Sequence, residues 1–374
     1  MRDEIDIYLT KAGRFLQWWD IKRPEMERII IDTHKLLKKF IPESIEIFKK
    51  RYTILQSIYI NQPIGRRSLA TLLEISERTV RSETDFLKEA GFISADAIGM
   101  MITSRGEAML EGLRNFSDEI FGISELEREV QFRLGLEKVL IVSGDVDDDV
   151  SVQKELGRAA ANYLMEIISN DSVIAVTGGS TMASVAKSLS QAKEETDIVV
   201  IPARGGMGRE VENQSNIIAS IFAKRLGGQY RMLHVPDQLG AEAAETLLNE
   251  PDIQEVIRWL KNAQILVYGI GRAEDMAVRR NLPSTLKTSL RSAGAVAEAF
   301  GYYFNSQGEV VYASNCIGLR TTDLKKIPKR VGVAGGRQKA EAIAAVYSHW
   351  GSGVLITDEG AARQILNFYR TKSQ

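Results

Sequence analysis

Six short apolar runs, rich in β-branched residues, alternate with helical stretches in the second part of the chain. They are Val139–Val142, Val173–Val176, Ile198–Ile201, Ile265–Tyr268, Val331–Val333 and Val354–Ile356. Apolar runs of this length between helices are typical of a parallel sheet with both faces covered by helices. The sequence therefore predicts an α/β domain built on a Rossmann-like parallel sheet. In such sheets ligands bind beyond the carboxyl ends of the strands, so we expect a site among the residues that follow the runs.

A glycine-rich turn follows the second run and leads directly into a helical pattern. The turn is Thr177–Thr181, and the helix is expected over Met182–Leu189. Glycines let backbone N–H groups approach a ligand closely, and the positive end of the helix dipole attracts negative charge. The hydroxyls of Ser180 and Thr181 add two more donors. The turn predicts a phosphate or carboxylate site, although packing alone also explains glycines in such turns.

Three more runs are followed by glycine-rich turns with arginine or lysine in them or shortly downstream. They are Pro202–Gly206 with Arg204, Gly269–Ala273 with Arg279 and Arg280, and Ala334–Lys339 with Lys339. Guanidinium groups bind phosphate oxygens through paired hydrogen bonds, and an ammonium adds a point charge. Each turn alone has a structural explanation, but four at one sheet edge indicate a dianionic ligand such as a sugar phosphate. A dinucleotide site is disfavoured, because no G-x-G-x-x-G fingerprint follows the first run.

A group of short helices precedes this domain and ends in a pair of short strands. The helices are expected at about Arg51–Ile60, Arg67–Leu73 and Glu77–Ala90, and the strands at Phe92–Ile93 and Met100–Ile102. This order is that of a winged helix-turn-helix, whose recognition helix enters the major groove of double-stranded DNA.

The third of these helices is the predicted recognition helix. Its exposed residues in the first two turns are expected to be Arg78, Thr79, Arg81 and Ser82, and its core residues Val80, Phe86 and Leu87. The N-terminal turns of a recognition helix meet base edges, and arginine commonly binds guanine there. Either Arg78 or Arg81 could read a base while the other holds a phosphate.

At 374 residues the chain is too long for a single core, so several domains are expected. The predicted domains are a helical extension at 1–50, a winged helix-turn-helix at 51–103, a linker helix at 104–137 and a sugar-phosphate-binding domain at 138–374. The linker is amphipathic, which suits a seam between protomers of a dimer or tetramer. Packing of this segment on its own domain is the alternative.

Charge and residue usage exclude several kinds of site. The net charge is −1, and over residues 1–91 Lys and Arg exceed Asp and Glu by three, a balance that an ordinary mixed-charge surface explains as well as DNA binding does. The single Cys316 excludes an internal disulfide, and His34, His234 and His349 have no other ligands at metal-binding spacing, so no metal is expected. The acidic start is unlike a secretory signal, and no apolar run is long enough to span a membrane. We expect a cytoplasmic protein without a membrane partner.

The turn motifs, in this order and behind a winged helix-turn-helix, also carry a family resemblance. They are Thr177–Thr181, Pro202–Gly206, Tyr268–Gly271, Gly294–Glu298 and Ala334–Ile343. Together they resemble the SorC-type sugar-responsive transcription regulators, and most of all the branch that controls glycolytic genes. The resemblance covers nearly the whole chain, including the N-terminal extension, and the combined motifs are specific, whereas many families share the helix-turn-helix.

The resemblance implies a domain with the fold of sugar-phosphate isomerases and deaminases, but with no catalytic residues and no cofactor. It implies an allosteric ligand, fructose 1,6-bisphosphate or a related sugar phosphate, that weakens repression through operator DNA. Carried over motif by motif, the effector-binding residues are Gly178, Gly179, Ser180, Thr181, Arg204, Gln214, Arg279, Glu298 and Lys339. Arg280 is an alternative to Arg279.

The rival hypothesis is an enzyme, namely a sugar-phosphate isomerase or deaminase with an accessory winged helix. Such chemistry needs a general base close to the substrate carbon. Glu298, which the local pattern places on a helix, and Asp358 are the candidates. No turn presents an acid–base pair at an evident spacing, so the regulator hypothesis is preferred.

Overall fold

A computed structural model describes residues 40–206, 211–236 and 239–371 of the chain. Most of the predicted N-terminal extension, residues 1–39, therefore lies outside the described residues. The chain divides into two compact units, with the boundary between Ser124 and Glu125.

The first unit is a winged helix-turn-helix, as the sequence predicts. Its elements are Pro42–Asn61 (α1), Arg66–Leu72 (α2), Glu77–Glu89 (α3), Ile93–Ala95 (β1), Met100–Ile102 (β2) and Ser104–Phe121 (α4). The two strands pair antiparallel and form the wing. The core is built from buried aliphatic residues of every helix, including Ile54, Ile58, Leu69, Val80 and Leu110.

The segment predicted as one linker helix, residues 104–137, contains two helices, α4 and Ile123–Leu134 (α5). They are separated at Gly122, whose φ of +74° lies in the left-handed region that ends helices. Helix α4 packs within the first unit, where the rings of Phe116 and Phe48 meet edge to face at 5.0 Å. Helix α4, the first part of the segment, therefore packs on the winged helix-turn-helix unit.

The second unit contains eleven strands in its described part. They are Lys138–Val142 (β3), Val173–Val176 (β4), Val199–Pro202 (β5), Gln229–Tyr230 (β6), Ile265–Gly269 (β7), Gly271–Arg272 (β8), Ala295–Ala299 (β9), Tyr302–Asn305 (β10), Val310–Ala313 (β11), Lys329–Val333 (β12) and Val354–Asp358 (β13). Seven of them form a parallel sheet in the order β3-β13-β12-β7-β4-β5-β6. All six predicted strands belong to this sheet, which confirms the α/β prediction.

Helices lie between and after the strands of the second unit, and parallel neighbours require such crossover connections. They are Val152–Ile167 (α6), Ser180–Ser188 (α7), Ser215–Leu226 (α8), Ala241–Leu248 (α9), Pro251–Lys261 (α10), Ala273–Arg279 (α11), Ser284–Ser292 (α12), Thr321–Leu324 (α13), Ala340–Trp350 (α14) and Glu359–Thr371 (α15). Val176 and Val267 pack in one core with residues of α6, α7 and α8. The intervening Ala175 and Leu266 are equally buried, so both faces of the sheet are covered.

The four remaining strands form a second, antiparallel sheet in the order β11-β10-β9-β8, which the sequence did not predict. The segment 295–299 was expected to be helical but is strand β9. A two-residue turn joins β9 to β10, and its residues Phe300 and Gly301 have φ values of +55° and +80°. This turn reverses the chain so that β10 pairs with β9, and that pairing overrides the helical preference of the alanines. No helix in the described part of the chain is long and apolar enough to cross a membrane.

Candidate anion-binding site

Four neighbouring strands of the parallel sheet, β12, β7, β4 and β5, end at the four glycine-rich turns singled out in the sequence. The turns meet at a cleft that encloses about 890 Å³, including its open mouth. Of the predicted effector residues, the cleft is lined by Gly178, Gly179, Ser180, Thr181, Arg204, Arg279, Glu298 and Lys339. Gln214 is not among the lining residues, although its neighbours Asn213 and Ser215 are. The described lining also includes Arg272 and Arg280, so five cations and two carboxylates, Asp275 and Glu298, face this cleft.

The turn after β4 presents the N-terminus of α7 to the cleft. Gly179 precedes the helix with φ +114°, a conformation that side chains other than glycine's rarely adopt. Its N–H donates to the carbonyl of Asn213 at 2.8 Å, so this group serves the loop. The first N–H groups of an α-helix have no acceptor within the helix, and here they belong to Ser180 and Thr181. These N–H groups and the two hydroxyls are the donors that the turn can offer to an anion.

Packing also explains part of this turn. A Cβ on Gly178 would lie 2.6 Å from the carbonyl oxygen of Asn213, so the backbone approach itself requires glycine. The hydroxyl of Thr177 accepts a hydrogen bond from the N–H of Gly269 at 3.1 Å and ties this turn to the one after β7. The two turns are therefore fixed relative to each other before any ligand binds.

Two cations, Arg279 and Lys339, lie close together at the cleft. Lys339 is half-buried and Arg279 is exposed. Burial lowers the pKa of the Lys339 ammonium, and the positive charge of Arg279 lowers it further, while three carboxylates, Asp147 foremost, oppose the shift. The two positive charges repel each other, and an anion bound between them would relieve that repulsion.

Deeper in the cleft, Glu298 holds two buried arginines. It lies on strand β9 rather than on a helix, so the predicted local structure is wrong here. Its Oε1 accepts from Arg280 at 2.7 Å, from the N–H of Gly301 at 2.5 Å and from Arg204 at 3.5 Å. All three side chains of this cluster are less than 8% exposed. Because Arg280 is bound here while Arg279 is exposed, the two neighbouring arginines have different environments.

Some cleft residues carry no strong sequence signal. Arg272 ends the short strand β8, which lies within the glycine-rich segment that the sequence places after β7, and only this position points to it. Phe300 lines the cleft from the β9–β10 turn. It follows an alanine-rich stretch that looks helical, so only the tertiary structure reveals it.

Asp358, the other candidate base of the enzyme hypothesis, does not line the cleft. It is fully buried, and both carboxylate oxygens accept backbone hydrogen bonds from Val146, Gly336 and Ala361 at 2.7–2.9 Å. Burial raises the pKa of this carboxyl, and the three N–H donors oppose the rise. Among the described residues, no group of three or more histidine, cysteine, aspartate or glutamate side chains is placed to hold a metal ion.

The predicted recognition helix, α3, begins at a side-chain cap. The hydroxyl of Ser76 accepts from the N–H of Thr79 at 3.1 Å and lies 2.7 Å from the Thr79 hydroxyl. Arg78, Arg81 and Ser82 are exposed, whereas Thr79 is half-buried. The structure therefore presents three of the four predicted DNA-contacting side chains to solvent and uses the fourth in the cap.

The opposite side of α3 packs as predicted at Val80 and Leu87, which are buried. The prediction for Phe86 is wrong, since its side chain is 41% exposed. The guanidinium of Arg51 lies over the Phe86 ring, 3.6 Å from its centroid. The ring therefore packs against a cation rather than in the apolar core.

Comparison with known proteins identifies both units. A family model described as the CggR N-terminal DNA binding domain matches residues 47–117, and one described as a putative sugar-binding domain matches residues 118–367. The central glycolytic genes regulator of Bacillus subtilis is 42% identical over 329 residues, which cover 88% of this chain and 97% of that protein. The relatives are transcription regulators rather than enzymes.

Solved structures agree with this comparison. A putative SorC family transcriptional regulator from Enterococcus faecalis is 40% identical, with a TM-score of 0.60, and covers 65% of this chain and 99% of that chain. The full-length sorbitol operon regulator SorC of Klebsiella pneumoniae covers 87% of this chain and 99% of its own at a TM-score of 0.60. At 16% identity, the second likeness is one of fold alone.

Proposed function

The chain belongs to the SorC-type family of sugar-binding transcription regulators, and we propose that it is a cytoplasmic repressor of a glycolytic operon, released by fructose 1,6-bisphosphate. The Bacillus subtilis relative is a regulator of central glycolytic genes, and this supports the choice of genes. The charged cleft supports a phosphorylated sugar as the effector.

One cleft contains two separate kinds of anion donor, and this is the main observation in support of the proposal. The N-terminus of α7, with Ser180 and Thr181, offers N–H and hydroxyl donors, whereas Arg279 and Lys339 offer charge. A ligand with a phosphate at each end would use both. We assign effector binding to Gly178, Gly179, Ser180, Thr181, Arg204, Gln214, Arg279, Glu298 and Lys339, with Glu298 facing the sugar hydroxyls. Gln214 would have to turn towards the ligand, since it does not line the cleft.

On this proposal, the effector and the operator compete through a shared conformational equilibrium. Effector binding favours a state in which the recognition helices of an oligomer, a dimer or a tetramer, no longer match two half-sites together. A coupling free energy of about 1–3 kcal/mol would be enough to change operator occupancy in the cell. No cofactor and no catalytic residue are part of this mechanism.

The test is operator binding by the full chain, measured by fluorescence anisotropy on the DNA upstream of its own operon. Affinity is expected to fall about 5- to 150-fold when fructose 1,6-bisphosphate is added, which is the range of typical allosteric couplings. Fructose 6-phosphate, with a single phosphate, should have a much smaller effect. Operator affinity that is the same with and without every sugar phosphate would contradict the proposed regulation.

The lowered pKa of Lys339 gives the effector affinity a defined pH dependence. As the pH rises, the free protein loses the Lys339 proton before an ordinary lysine would, whereas a bound phosphate favours the charged form. The effector affinity should therefore fall as the pH rises towards the pKa of an ordinary lysine, a range in which a phosphate ester with a second pKa of about 6 is already ionised. The affinity is measured by calorimetry across this range. In Lys339→Arg, whose guanidinium stays charged, the fall should be reduced, and an unchanged fall would exclude Lys339 as its source.

If the chain is a regulator and not an enzyme, it should not convert sugar phosphates. Hexose phosphates incubated with the protein are expected to remain unchanged by NMR, because Asp358 lies outside the cleft lining and Oε1 of Glu298 already accepts from Arg280 and from the N–H of Gly301. Isomerisation or deamination that disappears in Glu298→Gln would contradict this expectation.

A further inference from the structure

The turn after β12, residues 335–339, is surrounded by aspartates. The N–H of Gly336 donates to Asp358 at 2.7 Å, that of Arg337 to Asp145 at 3.3 Å, and that of Gln338 to Asp147 at 2.9 Å. Three successive N–H groups before α14 are thus each occupied by a carboxylate. At a phosphate-binding turn such groups normally face the ligand.

Because the protein's own carboxylates accept these hydrogen bonds, the turn has fewer backbone donors to offer an anion. The N–H groups of Gly336, Arg337 and Gln338 are already used, and of the residues in this turn it is Lys339 that lines the cleft. Lys339 closes the turn, since its own N–H donates to the carbonyl of Gly336 at 2.9 Å. The place of the ammonium therefore depends on where Gly336 is held.

Asp358 holds Gly336 from the end of the neighbouring strand β13. Its Oδ2 accepts from Gly336 and also from Val146, in the loop after β3, while its Oδ1 accepts from Ala361 at the start of α15. The turn lies against it so closely that a Cβ on Gly335 would be 2.8 Å from Oδ2. One buried carboxylate thus joins two loops and a helix start.

We propose that Asp358 is a positioning residue of the effector site, which fixes the 335–339 turn and thereby holds the Lys339 ammonium in the cleft. The role rests on the proposed function in one respect, namely that a phosphate is the ligand of Lys339. Asp358 itself touches no ligand. Asp147 assists by holding Gln338, from an exposed position.

The variant Asp358→Ser separates positioning from helix capping. A serine hydroxyl can still cap the N–H of Ala361, but it offers no second oxygen to Gly336 and Val146. The affinity for fructose 1,6-bisphosphate, measured by calorimetry on the full chain, is expected to fall about tenfold, and operator affinity without effector should not change. Asp149→Ser is the matched control, since that carboxylate lies in the same loop as Asp147 but accepts from Ser151 at 2.8 Å, and it should bind effector like the parent.

A double-mutant cycle with Lys339→Ala shows whether Asp358 acts through Lys339. If it does, Asp358→Ser should cost less than about twofold in the Lys339→Ala background, because the group it positions is gone. Asp147→Ala, an exposed change that spares the core, should lower the affinity about threefold and should also lose its effect there. Full, additive losses in the cycle, or an unchanged affinity in Asp358→Ser, would overturn the proposal.

A measurement without ligand keeps this proposal distinct from the proposed function. Hydrogen–deuterium exchange over residues 335–339, and at Val146, is expected to be faster in Asp358→Ser, with the strands of the sheet unaffected and with Asp149→Ser like the parent. If the parent chain binds no fructose 1,6-bisphosphate, the proposed effector is wrong, and the exchange still decides whether Asp358 fixes the turn. Unchanged exchange at 335–339 rejects the positioning role whatever the ligand is.

Discussion

Replacing Arg279 and Lys339 together with alanine is expected to lower the affinity for fructose 1,6-bisphosphate by about two to four orders of magnitude. Each charge-assisted contact to a phosphate contributes about 1.5–3 kcal/mol, and the variant removes two. In the free protein, burial and the nearby positive charge of Arg279 both disfavour the charged form of Lys339 and lower its pKa. Calorimetry on the purified full chain measures the loss. Operator affinity without effector should remain that of the parent.

Arg337→Ala is the matched control for this experiment. Arg337 belongs to the same turn as Lys339, but it pairs with Asp145 at 3.1 Å and with Asp148, outside the cleft. Its loss should leave the effector affinity within about twofold, as is usual for an exposed ion pair. Arg204 is less suitable for this test, because it is buried with Glu298 and its removal would disturb the fold. Binding by the Arg279→Ala/Lys339→Ala variant that matches the parent would show that neither phosphate lies at this pair.

The sequence predicted the parallel sheet because its signal is local. Each buried strand is a continuous apolar run, and the carboxyl ends of neighbouring parallel strands must meet at one edge. The convergence of the four turns follows from these two facts. The second sheet had no such signal, since strand β9 consists largely of alanines, which favour helices in isolation. Its pairing with β10 depends on the turn at Phe300 and Gly301, where both residues have positive φ.

Side-chain partners in the site were harder to predict than the positions of the turns. Arg279 and Arg280 are adjacent in sequence, yet the first ends α11 exposed and the second is buried against Glu298. Consecutive residues at a helix end point in directions about 100° apart, so their burial is decided by what packs there. Asp358 shows the same limit, because the backbone donors it accepts from come from loops far away in the chain. A sequence pattern locates charge, whereas only the fold determines which charges are already paired.

Replacing Arg78 or Arg81 with alanine is expected to weaken operator binding. The effect on sequence preference and on salt dependence should differ between an arginine that reads a base and one that binds a phosphate. A base-reading arginine should cost about 1–3 kcal/mol on the operator and relax the preference at one base pair. A phosphate-binding arginine should weaken all DNA sequences alike and reduce the salt dependence of log K by about one unit. Both side chains are exposed at the start of α3. By contrast, Arg66 and Arg67 on α2 pair with Asp85 at 2.5 Å and Glu77 at 3.2 Å, both of α3.

Fluorescence anisotropy of each variant on operator and on unrelated duplex DNA, across a salt titration, separates the two cases. Lys88→Ala is the matched control, because Lys88 is an exposed cation in the last turn of the same helix, away from the end that enters the groove. It should keep the operator preference of the parent, and all three variants should keep the parent's affinity for fructose 1,6-bisphosphate, since the cleft is built entirely from residues of the second unit. Operator binding by Arg78→Ala and by Arg81→Ala that equals the parent's at every salt concentration would mean that α3 does not enter the groove. The DNA-binding surface would then lie elsewhere in the first unit, with the wing formed by β1 and β2 as the next element to test.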